Sequence, residues 1–234
     1  MLETDLAASR APGVPNITRR EATAALLGGA VLAVGPALAA EKAEVIALPP
    51  PTSKGGKPLM EALALRRSTR AYSDRPLPPQ VISDLLWAAF GINRPSGDRT
   101  APYWRHIMVI DVYAAMADGV WLYEPKQHSL LLQRRADIRA QTGLQDFVAV
   151  APLNLIYVAH SERMPDISSE DRRLYASADS CFIGQNVYLY CASEGLATVF
   201  RGAVDTARLA QAMQLGKGQF VTFAQTVGYP SRQA

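Results

Sequence analysis

The stretch 168–195 constrains this chain more than any other. Ser168, followed three residues on by Asp171, has the form of a helix-starting capping box, and Gly195 is a helix stop at the far end. Between them Leu174, Ala178, Cys181, Phe182, Val187, Leu189 and Cys191 wrap most of a helical circumference. The pattern predicts a helix over 168–193, buried on nearly all sides. At about 1.5 Å per residue it is about 39 Å long, enough to cross a whole domain, so the other elements must be arranged around it. Both cysteines of the chain lie on it. Their ten-residue spacing puts them about 15 Å apart along a helix, beyond disulfide reach, and predicts two buried thiols.

The remaining elements alternate irregularly. Residues 41–56 are rich in Pro, Lys and Gly with no apolar period, and predict a tether or partner-wrapping arm, within an N-terminal arm over 40–57. Pro58 opens a helix with Leu59, Leu63 and Leu65 on one side. A second helix follows Pro78-Pro79 and runs to a Gly91 cap, and both are expected on a common core. Runs at 106–112 and 119–123 predict a hairpin, with a third strand at 129–132. A helix ending at Gly143, a short helix over 145–150, a central strand over 153–158, a helix over 206–215 and a strand over 220–227 complete one α+β domain spanning 58–234.

The first forty residues have a different character. Arg19-Arg20, an uncharged apolar run over 22–34 and the small-x-small pair Ala37 and Ala39 predict a twin-arginine export signal over 1–39, hence a periplasmic protein. The alternative is an Ala-rich N-terminal helix of a cytosolic protein. The apolar run is too short for stable membrane insertion. The twin-arginine route carries folded proteins, often with a cofactor already inserted, which points to a redox group. Net charge is +3 with no Lys/Arg run, so nucleic acid is not an expected partner.

No Gly-x-Gly-x-x-Gly, Walker loop, His-Glu-x-x-His or Gly-x-Ser-x-Gly is present in the sequence, and His106, His128 and His160 stand apart from each other and from the cysteines. No metal site and no acid–base pair is expected. What stands out is Arg66-Arg67-Ser68-Thr69-Arg70, followed by Tyr72. Three guanidiniums and two hydroxyls in five residues suit a phosphate and a polyol, and equally suit a solvated basic helix end. Its companions are Gly91-Ile92-Asn93-Arg94-Pro95, Arg99-Thr100-Ala101-Pro102, Glu194-Gly195-Leu196-Ala197-Thr198 leading into Phe200-Arg201-Gly202, and Val227-Gly228-Tyr229-Pro230.

That ordered set resembles the FMN-dependent nitroreductase superfamily over about residues 58–230, especially its compact branch near the azoline-oxidising SagB/ThcOx-type dehydrogenases. The resemblance implies a nitroreductase-like fold: a mainly antiparallel sheet flanked by helices around a long central helix. It implies a homodimer holding FMN between its subunits. It places the FMN phosphate, ribityl chain and pyrimidine edge on Arg66, Arg67, Ser68, Arg70 and Tyr72, backbone N–H groups near the flavin N5 at Phe200, Arg201 and Gly202, and a phosphate contact at Arg232. Arg70 or Arg201 would face the edge where charge grows in the reduced flavin. Tyr103, Trp104, Arg105 and His106 replace the small residues and Asn of the branch, with His106 in the position of the amide. The two aromatics either narrow or stack on the flavin cavity, or pack in the core or dimer interface. The implied activity is ping-pong electron transfer through FMN to or from a small aromatic, nitro or quinone-like substrate. For an exported protein a quinol or redox partner is the expected donor. Two alternatives stand beside it, an azoline-type dehydrogenase acting on a peptide and a non-catalytic flavin- or small-ligand-binding protein.

Overall fold

The structure is a computed structural model that describes residues 44–231. The expected export signal and Arg232 lie outside the described residues. Seven strands make one antiparallel sheet: β1 (Val45–Ala47), β2 (Ile110–Met116), β3 (Gly119–Glu124), β4 (Ser129–Arg134), β5 (Leu153–His160), β6 (Ala197–Arg201) and β7 (Gln219–Gly228). Their order across the sheet is β1-β4-β3-β2-β5-β7-β6. The helices are α1 (Leu59–Leu65), α2 (Pro79–Phe90), α3 (Phe147–Val150), α4 (Ser169–Glu194) and α5 (Thr206–Met213). The α+β class and the antiparallel sheet are those expected. All eight residues of β5 are buried, which is why its sequence is a nearly continuous apolar run rather than an alternation.

Helix α4 begins and ends where the sequence predicts. Ser168 Oγ accepts the Asp171 N–H at 3.0 Å, and Gly195 takes a left-handed conformation with φ 69°. The helix lies on β6 and β7 and is flanked by α1 and α2. Its approach to β6 depends on Gly184, where a Cβ would come within 2.4 Å of the Phe200 ring. Ala176, Ile183, Val187 and Cys191 face the core, together with α2 residues such as Leu85, Leu86 and Phe90. A second cluster on the other face packs Leu209 and Met213 of α5 against Tyr113, Ile156 and Val158.

Burial of α4 is one-sided, contrary to the expectation. Leu174 is 60% exposed and Phe182 is 49% exposed, and Cys181 is exposed rather than buried; Cys191 alone is the buried thiol. The sheet covers one face of the helix and α1 and α2 cover its flanks, which leaves a further apolar stripe uncovered within one chain. Helix α1 also leaves Leu59, Met60 and Leu63 exposed beside it.

Three further expectations change. The segment 44–57 is not bare of structure: β1 pairs with β4, the Leu48 N–H donates to His128 O at 3.1 Å, and Ile46 and Leu48 pack on the core. A three-residue strand bounded by prolines is too short to show a period. The strand expected at 106–112 begins at Ile110 and runs to Met116, while Trp104–His106 forms a 3-10 turn in which Arg105 and His106 have φ 47° and 57°. The helix before Gly143 is a single 3-10 turn, Arg139–Gln141.

Candidate functional site

After α1 the chain leaves helical geometry at Arg66 (φ −57°, ψ 122°) and runs extended toward the sheet edge at β6. The Thr69 N–H donates to Thr198 O at 2.9 Å, Tyr72 bridges to Pro230, and the Ser73 and Ser231 N–H groups bond Tyr229 O and Ala71 O. The two motifs 66–72 and 227–230 are therefore stitched into one surface. Tyr72 anchors it from below: its buried hydroxyl donates to Thr69 O at 2.6 Å, and burial pushes its pKa well above the ordinary tyrosine value.

A side chain that the sequence did not mark ties this surface together. Tyr188 of α4 lies one helical turn beyond Gly184, on the side facing β6. Its hydroxyl accepts the Phe200 N–H at 2.9 Å and lies 2.7 Å from Ser68 Oγ. The Arg66 guanidinium sits 5.2 Å from the centre of the Tyr188 ring, within cation–π range. Arg66, Ser68 and Phe200 are thus brought together by one hydroxyl and one ring. The available signal was a tyrosine four residues after Gly184, on the face of α4 where that glycine admits β6. Arg67 and Arg70 are exposed on the same segment. Among the described residues, none of the three guanidiniums is in an ion pair with a carboxylate.

Phe200 and Gly202 lie at this surface, whereas the Arg201 side chain and His106 are placed apart from it. Phe200 stacks on Tyr157 at 5.7 Å and on Phe223 at 4.7 Å, and Gly202 is exposed just beyond it. Arg201 is only 4% exposed and is held inside the protein by Thr226 Oγ1, Thr142 O and Asn154 Oδ1 at 2.8–3.1 Å. Strand alternation points it away from Phe200. Burial without a carboxylate partner pulls its pKa down to about 10. Its three polar partners leave it a structural pin of β6 rather than a group offered to a ligand at the 66–70 segment.

His106 is exposed, and its partners are Asp98 Oδ1 at 3.4 Å and the Tyr103 ring, not the 66–70 segment. Asp98 is held down to about 2, first by the Tyr103 hydroxyl and then by Ser96. Tyr103 packs edge-on against Phe90, and Trp104 stacks on Tyr175 at 5.7 Å. Within the chain both aromatics are therefore pinned by packing. The turn carrying them is fixed by Asp179 of α4, a buried acid that the sequence did not mark either.

A cleft of about 500 Å³ opens between residues 52–57, α1, α2 and α4, with Trp87, Asn93, Asn186 and Tyr190 among its walls. Asn93, Thr100 and Glu194 of the companion motifs line it, but none of the described residues expected to contact the flavin does.

With this geometry in hand, three kinds of likeness can be set beside it. Residues 63–229 match the model of the nitroreductase family. A Methanocaldococcus jannaschii protein assigned as a nitroreductase is 32% identical over 155 residues, covering 62% of this chain and 78% of that protein. The crystal structure of a protein assigned as a nitroreductase from Ralstonia eutropha JMP134 superposes with a TM-score of 0.77 at 44% identity, covering 80% of this chain and 90% of that one. The NADPH:FMN oxidoreductase of Vibrio harveyi, complexed with NAD+, superposes with a TM-score of 0.57 at 19% identity, covering 74% and 69% of the two chains, a likeness of fold.

Proposed function

Because the chain belongs to the nitroreductase family, we propose that it is an FMN-dependent oxidoreductase whose flavin is held on the 66–70 segment. One observation carries this reading: Arg66, Arg67 and Arg70 share one extended segment with the Ser68–Tyr188 hydroxyl pair, and among the described residues no carboxylate pairs with them. Guanidiniums that are not neutralised internally fit a phosphate dianion, and paired hydroxyls fit a ribityl chain. The donor set suits FMN. The Phe200 N–H is already taken by Tyr188, which leaves exposed Gly202 as the backbone donor next in line.

When bound, FMN supplies two-electron transfer between a donor and an acceptor that use it in turn. The chain's own part is to bind the cofactor, to fix the segment through Tyr72 and Tyr188, and to keep water from one side by the packed Phe200, Tyr157 and Phe223 rings. No side chain is assigned as a general base. We further infer a homodimer. Leu174 and Phe182 of α4 and Leu59 and Met60 of α1 are large apolar side chains left exposed, and a second copy bringing the same side chains supplies a cover. From the export signal expected over 1–39 we also infer a periplasmic location, where a quinol or redox partner replaces nicotinamide donors.

The test is the visible spectrum of the purified protein, with the cofactor released by heat and identified by mass. FMN at about one per subunit supports the reading. A colourless protein that takes up no added FMN overturns it. Arg70→Ala should lose a charge-assisted hydrogen bond of about 1.5–3 kcal/mol in FMN binding.

A further inference from the structure

The sheet splits between β2 and β3. Their pairing runs from Met116 opposite Gly119 to Tyr113 opposite Leu122 and stops there. Yet β2 extends back to Ile110 and β3 runs on to Glu124. Along its other edge β2 pairs with β5 from Ile110 to Ala115, so only the side facing β3 is left open at Ile110–Val112. A cavity of about 300 Å³ lies at this split, walled by Phe90, Met108, Ile110, Val112, Leu122 and Tyr123.

Arg99, Lys126 and Arg163 also line it, with Asp111 and Glu124, and of the three cations Arg99 is the buried one. Arg99 is only 7% exposed, and its partners are weak for a buried guanidinium. Nε and Nη2 point at the Met108 sulfur at 3.3 and 2.8 Å, Nη1 donates to Phe90 O at 3.3 Å, and the Phe90 ring lies 5.3 Å away. A thioether is a poor acceptor, and two of the five guanidinium N–H bonds have no partner in this set. No carboxylate among the described residues pairs with it; Glu124 and Asp111 act on it only from farther off. Arg163, on the same cavity, is the contrast, since Asp111 binds it at 2.8 and 3.1 Å. A buried, unanswered charge is costly, and an anion in the cavity would remove that cost.

We propose that the split between β2 and β3 is a binding site for a small carboxylate with an apolar body, the carboxylate seated on Arg99. The ligand's body would lie against Ile110, Val112, Leu122 and Tyr123. A phosphate dianion fits less well, because Asp111 and Glu124 line the same cavity and the side chains against the Arg99 guanidinium, Phe90 and Met108, are apolar; exposed Lys126 also borders the space. The cavity shares no lining residue with the 66–70 segment, Tyr188 or Phe200, so the proposal does not rest on the flavin reading.

Calorimetric titration of the purified full chain with benzoate tests it. One saturable equivalent per subunit is expected, weakened at least tenfold by Arg99→Gln. Leu122→Trp, which fills the cavity and leaves Arg99 in place, should abolish the same equivalent, and covers the case in which Arg99→Gln fails to fold. Absence of benzoate binding overturns the proposal. So does binding that survives both substitutions, which lies at another site. Binding of inorganic phosphate in place of benzoate overturns the assignment to carboxylates.

Discussion

Both carboxylate oxygens of Asp179 lie 3.1 Å from the backbone nitrogen of Trp104. Asp179 is 3% exposed, and that one N–H is its only hydrogen-bond partner among the described residues. It holds the turn in which Arg105 and His106 adopt left-handed φ, a strained conformation for residues other than glycine. Burial pushes its pKa up to about 6. A raised carboxyl pKa favours the neutral form in the fold, so the contribution of Asp179 to stability is fully present below about pH 4 and is lost as pH rises through 6. Asp179→Asn keeps an acceptor and removes the charge. Above pH 6 its Tm should exceed that of the parent, by up to about 3 kcal/mol of stability, with a flatter profile between pH 4 and 6. Parallel Tm–pH curves for the two proteins would sink the idea.

A second titrating group guards the edge of the sheet. Ser83 Oγ donates to Pro49 O at 2.6 Å, so it accepts from His128 Nε2 at 2.7 Å, and His128 Nδ1 accepts from the Tyr123 hydroxyl at 3.0 Å. This network needs neutral His128. Burial lowers the His128 pKa, against opposing pulls from the Pro49 carbonyl and Asp84. A depressed histidine pKa gives stability present above about 6.5 and lost as pH falls below it. Hydrogen exchange at Ile46 and Leu48, corrected for intrinsic rate, should accelerate from pH 7 to 5, while Ile156 in β5 stays protected. Equal protection at both pH values would rule this out.

Arg201 offers a way to separate a structural cation from a cofactor-binding one. Lysine in its place cannot reach Thr226, Thr142 and Asn154 together, so Arg201→Lys should cost about 2–4 kcal/mol of stability. FMN affinity of the folded protein should change much less than in Arg70→Ala. Denaturant unfolding and flavin titration of both variants check this, and an equal loss of FMN affinity would return Arg201 to the cofactor site.

The long helix, the central strand and the α+β class were readable because each rests on local chemistry: a capping box, a glycine stop, an apolar run of strand length. The Arg66–Arg70 segment stood out for the same reason. What could not be read depends on contacts distant in sequence. Asp179 bends 104–106 into a turn from 75 residues away, overriding a run that looks like a strand. Arg201 resembles a ligand group until Asn154 and Thr226 are seen around it. Cys181 and Phe182 read as buried because an apolar stripe does not say whether its own chain covers it.

The remaining prediction concerns the hydroxyl that joins Ser68 to Phe200. Tyr188→Phe leaves the Phe200 N–H without its acceptor and should cost about 1 kcal/mol of stability. Ser68→Ala removes an exposed hydroxyl and leaves that bond intact, so its stability should be nearly unchanged. If the pair binds the ribityl chain as a unit, each substitution should weaken FMN binding about tenfold, near 1.4 kcal/mol. The double variant should then be no weaker than either one. Strict additivity of the two losses would mean that the hydroxyls act separately. No loss in either variant would move the ribityl chain off this segment and leave Tyr188 as a clamp between α4 and β6.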